Sequence, residues 1–177
     1  HGKMITGTSS IVSLSGETIE EMIISNASGI FSHFKSSGSV YPKTIIGNMA
    51  KWRDLYHNSR HAADYIQKYE QNPSIGSRPK YDAATKALIP VVKKEIPVFF
   101  KTQDVKEMYR AFELHSELGF DLIFTDCQQA WFAPELCKNE NIKLLLSTDL
   151  PKEPKKVKED EIRSDEQKEL DKRQAKM

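Results

Sequence analysis

The sequence predicts an α/β fold of parallel strands with flanking helices, and three observations predict it. Two runs, Ile96-Pro-Val-Phe-Phe-Lys-Thr-Gln103 and Leu122-Ile-Phe-Thr-Asp-Cys127, are apolar along their length and turn polar only at their C-terminal ends. A continuously apolar strand is one buried on both faces, as in a parallel sheet covered by helices; a strand with one wet face alternates. Between the two runs lies a helix over 104 to 118, with Val105, Met108, Phe112 and Leu118 on one stripe. Gly119 follows it, suited to the left-handed position after a helix. Finally, a short helix over 129 to 138, with Pro134 in its first turn, leads to the strand Ile142-Lys-Leu-Leu-Leu-Ser147, so the strand–helix unit repeats.

A right-handed crossover sets the C-terminal ends of the first two strands side by side, with Lys101 and Asp126 on one edge and within reach of each other. In α/β barrels and open α/β sheets, sites lie at that edge.

Earlier in the chain, Ser10-Ile-Val-Ser-Leu14 reads as a short strand closed by the turn signal Ser15-Gly16, and Glu17 to Ile24 as one or two helical turns. A long helix is predicted from Pro42 or Lys43 to Tyr69, where Ile45, Ile46, Met49, Trp52, Leu55, Tyr56, Ala63, Ile66 and Tyr69 recur near helical spacing. Pro42 falls in its first turn, where a missing amide donor costs nothing. The stretch from Gln71 to Pro79 holds two Pro, one Gly and two Ser and is a loop. A second helix over 81 to 93 carries Ala84, Ala87, Leu88, Val91 and Val92, with Pro90 expected to bend or divide it.

Composition is that of a soluble globular chain: 177 residues, net charge +1, 38% hydrophobic and 29% charged. One domain is expected over residues 1 to 150. Residues 151 to 177 differ in kind, with nine Lys or Arg and eight Asp or Glu among 27 positions. They read as a charged linker or tail, flexible or loosely helical through pairs such as Glu169 with Arg173. Setting the tail aside leaves 17 basic and 17 acidic residues from the totals of 26 and 25, so the globular part has no net charge, which argues against nucleic-acid binding, where a basic face is the first thing to look for. No apolar run approaches the roughly 18 residues that cross a bilayer, and no signal peptide is visible. The first residue is His1 rather than Met, which suggests an excerpt of a longer chain or a processed product. The two cysteines, Cys127 and Cys137, have neither metal-type spacing nor the number that defines a disulfide framework.

Three stretches carry a resemblance: Pro42-Lys-Thr-Ile-Ile-Gly-Asn-Met-Ala50, Ala87-Leu-Ile-Pro-Val-Val-Lys-Lys-Glu-Ile-Pro-Val98, and the two strand ends. With the early Thr6-Gly-Thr-Ser-Ser-Ile-Val-Ser-Leu-Ser-Gly-Glu-Thr-Ile-Glu-Glu-Met22, whose glycine-rich turn precedes a short strand, they make residues 1 to about 150 resemble the amidohydrolase superfamily. The resemblance is to its imidazolonepropionase-like, often secreted bacterial branch, some members of which have insertions similar to the charged tail. It implies a (β/α)8 TIM barrel, of which this chain supplies a part, since a full barrel takes about 250 residues. It also implies a zinc or similar divalent metal that lowers the pKa of bound water and polarises the scissile carbonyl, so that the family hydrolyses C–N and related bonds. The ligands in that family are a His-x-His pair, a Lys or Glu, two single His and an Asp.

This chain departs from that pattern at its strand ends. Where the family has His after the Ile-Pro-Val strand stands Lys101, and where it has His in a Glu-His-Gly strand end stands Asp126, flanked by Thr125 and Cys127. A protonated ammonium is no metal ligand, and no His-x-His occurs anywhere in the sequence. Lys101, Gln103, Thr125, Asp126 and Cys127 are therefore the ligand-facing or former metal-site positions. Lys101 with Asp126 reads as a buried ion pair in place of the lost metal charge, or as a repurposed binding or catalytic lysine. His57 and His61, four apart on the long helix, have a spacing at which two imidazoles share a metal, but without an acid between them they read as helix surface. His115 reads as a boundary histidine, and Trp52, Trp131 and Phe132 as core or boundary packing. Cys127 lacks a base and an electropositive setting, so a nucleophile is the lesser reading.

The expectation is a partial barrel with about three parallel strands and degenerate metal ligands. It would be a non-catalytic structural or binding module, a pseudoenzyme without a cofactor of its own, completed by the remaining barrel segments or a protein partner subunit. The alternative is a segment of an active C–N hydrolase whose ligands lie elsewhere. By resemblance the protein belongs in the periplasm or cell envelope.

Overall fold

The computed structural model describes residues 4–35, 42–138 and 142–146. Five strands form one sheet in the order β1-β2-β3-β4-β5: β1 (Ile5–Val12), β2 (Ile23–His33), β3 (Val98–Lys101), β4 (Leu122–Thr125) and β5 (Lys143–Leu145). The pair β1–β2 is antiparallel, joined through the short helix α1 (Ile19–Met22), and β2 to β5 are all parallel. The parallel array thus has four strands rather than the expected three. Its spatial order follows the sequence without reversal, as in a closed barrel, whereas a doubly wound sheet reverses at a switch point. The architecture is α/β, a five-strand and mostly parallel sheet with flanking helices, consistent with part of a TIM-type barrel.

Helices cross between the parallel strands: α2 (Ile45–Gln71) and α3 (Ala83–Val92) join β2 to β3, α4 (Val105–Leu118) joins β3 to β4, and α5 (Pro134–Cys137) leads to β5. Each of the first three begins at a side chain that accepts an orphan amide of the first turn: Thr44 for α2, Asp82 for α3 and Asp104 for α4. As expected, α4 ends at Gly119 in the left-handed region, φ 79°, with its amide donating to the His115 carbonyl. Pro90 does not divide α3, because it stands in the last turn and the helix ends two residues later.

Successive rows of the parallel sheet face opposite sides. One row, Ser32, Phe100 and Phe124, is buried under the helices, where Trp52 is fully buried, donates from Nε1 to Ser32 Oγ at 2.8 Å and stacks on Phe120. The adjacent row, Phe31, Phe99, Ile123 and Lys143, lies on the other face, the one a closed barrel would turn inward. Phe31 stacks on Phe99 at 5.0 Å there, yet is 40% exposed.

Several local expectations are corrected. The strand expected at 10 to 14 begins at Ile5, and the helical turn expected over 17 to 24 is only four residues, because β2 starts at Ile23. The helix expected over 129 to 138 resolves into a 3-10 turn (Ala130–Phe132) and α5. Trp131 and Phe132 lie on that turn, packed against each other and more than half exposed, and so are not core. The predicted tail over 151 to 177 lies outside the described residues.

Candidate functional site

The four parallel strands deliver their C-terminal ends to one edge, where His33, Lys101 and Thr125 stand in register as one row across β2, β3 and β4. At the end of β4 the chain turns sharply: Asp126 adopts φ 55°, a left-handed conformation that glycine accepts freely and that Asn, Asp and His adopt more often than other residues. Its carboxylate meets Lys101 Nζ at 2.6 Å. The two expected residues are paired, but the pair is not buried, since the side chains are 45% and 26% exposed.

Around this pair the backbone is closely tied. Thr102 donates its amide to the Thr125 carbonyl at 3.1 Å and shares a hydrogen bond with the Cys127 thiol at 3.3 Å, while Asp126 N donates to the Leu145 carbonyl at 3.2 Å. Asp104 caps α4 by accepting from Glu107 N, and the Glu107 carboxylate reaches back to accept from Gln103 N at 2.8 Å. That reciprocal cap fixes Gln103 beside the Lys101 side of the edge.

His33 is the addition that sequence reading missed. Its Nδ1 accepts from the Lys35 amide at 3.0 Å, so a neutral ring carries its proton on Nε2. Burial first, then the charges of Lys35 and Lys101, hold the imidazole below its ordinary 6.5 against the opposing pull of Glu107. The signal was present in Gly29-Ile-Phe-Ser-His-Phe-Lys35, which runs apolar and then polar like the other two strand ends. Together His33, Phe34, Lys35, Lys101, Gln103 and Glu107 line a cavity of about 270 Å³. A larger depression of about 610 Å³ opens between α2 and α3 among Asn58, His61, Asp64, Tyr65, Lys68 and Tyr81. It lies on the outer helices, away from the strand ends. The smaller cavity is the candidate site, because the ion pair, the left-handed Asp126 and the perturbed histidine converge on its edge.

The remaining expected residues fall as follows. Thr125 is buried at the row's end. Cys127 is buried too, and burial pushes its thiol upward, further from the thiolate a nucleophile needs. His57 and His61 are exposed on α2. His115 is a half-buried boundary residue, its Nδ1 bonded to the Phe120 carbonyl and its ring against Phe112 and Phe120. Among the described residues no three His, Cys, Asp or Glu side chains gather in a metal-binding group. At this edge the described residues bring one imidazole, His33, and two carboxylates, Asp126 and Glu107, the first held by Lys101 and the second accepting from Gln103 N.

The strand order and the site at the strand ends define an α/β barrel segment. Among solved structures, the chain is similar to an amidohydrolase from Thermotoga maritima, with a TM-score of 0.68 and 18% identity over 83% of this chain. The match covers 40% of that structure's own chain, so the protein spans less than half of it. At this identity the likeness is one of fold. No family model matches the chain, and no curated protein matches it. Among the described residues, no helix is long and apolar enough to cross a membrane.

Proposed function

We propose that the chain is part of an amidohydrolase-superfamily barrel of the imidazolonepropionase-like branch, with a strand-end site that has exchanged metal-binding imidazoles for an ammonium–carboxylate pair. In this reading it is a non-catalytic structural or binding module, completed by remaining barrel segments or a partner subunit, in the periplasm or cell envelope. The observation that carries it is the Lys101–Asp126 contact of 2.6 Å, at the two positions where the resembling family has histidine. A protonated ammonium has no lone pair to offer a metal, and here it holds the Asp126 carboxylate in an ion pair.

One observation favours the alternative of an active metal-dependent C–N hydrolase: β2 places the imidazole of His33 on the same row as Lys101. Metal analysis of the intact assembly, with amide-hydrolysis assays in the presence and absence of a chelator, separates the two. The module reading expects no stoichiometric metal and no chelator-sensitive turnover. One bound zinc-like ion contacting this chain would overturn it.

A further inference from the structure

We infer that the outer depression of about 610 Å³ between α2 and α3 binds a small zwitterion of the amino-acid class with an aromatic body, its ammonium held by Asp64 and its carboxylate by Lys68. The site lies on the outer helices, apart from the strand-end edge and from the function proposed for that edge.

Two charges set the class of ligand. Asp64 and Lys68 stand four residues apart on α2, acid first, the order and spacing at which helical ion pairs close. This pair stays open: among the described residues neither side chain makes an ion pair or a hydrogen bond. Earlier on the same helix Lys51 and Asp54 meet at 2.6 Å, so an open pair is not a general property of α2. Asp64 and Lys68 both line the depression instead, one carboxylate and one ammonium beside the ring of His61. Their charges cancel, so the lining selects neither an anion nor a cation. A ligand that carries both charges meets a charge-assisted partner for each.

The walls choose the body of that ligand. Tyr65 and Tyr81 are half-buried, and Ala62 and Thr85 are the buried part of the lining. Tyr65 is fixed in place, its hydroxyl donating to the Ser77 carbonyl at 2.9 Å. Gly76 leaves room for that contact, since a Cβ there would stand 2.8 Å from the hydroxyl. An aromatic wall ordered before the ligand arrives costs little to organise, and it stacks on an aromatic body. Asn58 donates its side-chain N–H to Asp54 at 3.0 Å, which leaves its carbonyl oxygen as an acceptor for the ligand's ammonium. The volume falls within the range of about 300 to 1,000 Å³ found for small-molecule sites.

The test is titration of the full chain with L-phenylalanine, followed by the NMR signals of the Tyr65, Tyr81 and His61 rings. Three parallel arms each lack one feature: 3-phenylpropionate the ammonium, phenethylammonium the carboxylate, and glycine the ring. A saturable shift with phenylalanine is expected, with each of the three analogues about tenfold weaker or more, the loss of one contact. Asp64→Asn should weaken phenylalanine about tenfold without weakening 3-phenylpropionate, and Lys68→Gln should do so without weakening phenethylammonium. Lys68→Arg should restore most of the affinity. Both substitutions are at exposed positions, and an unaltered amide spectrum elsewhere checks that the fold is kept. A singly charged analogue that binds as tightly as phenylalanine would overturn the zwitterion class, and glycine binding equally well would overturn the aromatic body. No saturable response, or phenylalanine binding indifferent to both substitutions, would remove the site. Equal weakening of phenylalanine and both singly charged analogues by either substitution would mean that the side chain shapes the surface rather than meeting a charge, and would also overturn the assignment.

Discussion

Asp126 and Lys101 show how far a side-chain pair can be read from sequence and where such reading stops. Two strand ends brought together by a right-handed crossover make the pairing foreseeable; its exposure depends on what covers the edge, which no local pattern reports. Because the pair is partly solvated, its coupling should be that of a surface ion pair, about 0.2–1 kcal/mol, rather than that of a desolvated one. A double-mutant cycle of Lys101→Met and Asp126→Asn, measured by urea unfolding, checks this, and a coupling of about 3 kcal/mol or more would mean the pair is desolvated in solution. His33 gives the pH dependence. Its folded pKa lies below 6.5, so in the window beneath 6.5 the unfolded chain binds the extra proton and stability falls as pH falls. His33→Gln should flatten the stability profile between about pH 6.5 and 5 while leaving it unchanged above pH 7.5. An unaltered acid limb would show that the imidazole titrates normally.

At the scale of elements, the long helix, the α4 unit and the two central strands were legible because their periodicities are strong and their caps are written in the chain. Thr44, Asp82, Asp104 and Gly119 mark the ends where local chemistry demands them. The strand β2 was not legible, since Ile23-Ile-Ser-Asn-Ala-Ser-Gly29 is poor in strand formers and its partners are β1 and β3, the latter far along the chain. With β2 went His33, and hence half of the candidate site. Gly29 explains part of the obscurity. A Cβ at that position would stand 2.3 Å from the Phe99 ring and 3.0 Å from the Pro97 carbonyl, so the strand needs a residue that weakens it as a strand. Gly29→Ala should therefore destabilise by about 1–3 kcal/mol through overpacking. Adding Phe99→Ala should recover part of that loss relative to Phe99→Ala alone in thermal denaturation, and strictly additive losses would place the ring elsewhere.

For the whole molecule, fold class followed from the sequence, and the number of strands did not. The described sheet has one face sealed by helices and another on which Phe31 and Leu145 are 40% and 52% exposed, with Phe99 and Ile123 between them. Contiguous exposed apolar surface and short open strand edges favour association. The isolated chain should sediment as oligomers or bind a hydrophobic dye, and Phe31→Lys should shift it toward monomer without loss of helix content. A monodisperse wild-type monomer with no dye binding would contradict this.

The antiparallel β1 gives the sheet a polarity of growth. Beyond β1 an added strand of the barrel's common sense would meet a neighbour running against it, whereas beyond Lys143–Leu145 it meets one running with it. Closing a barrel from this array would therefore take two unlike joints, an antiparallel one at β1 and a parallel one at β5.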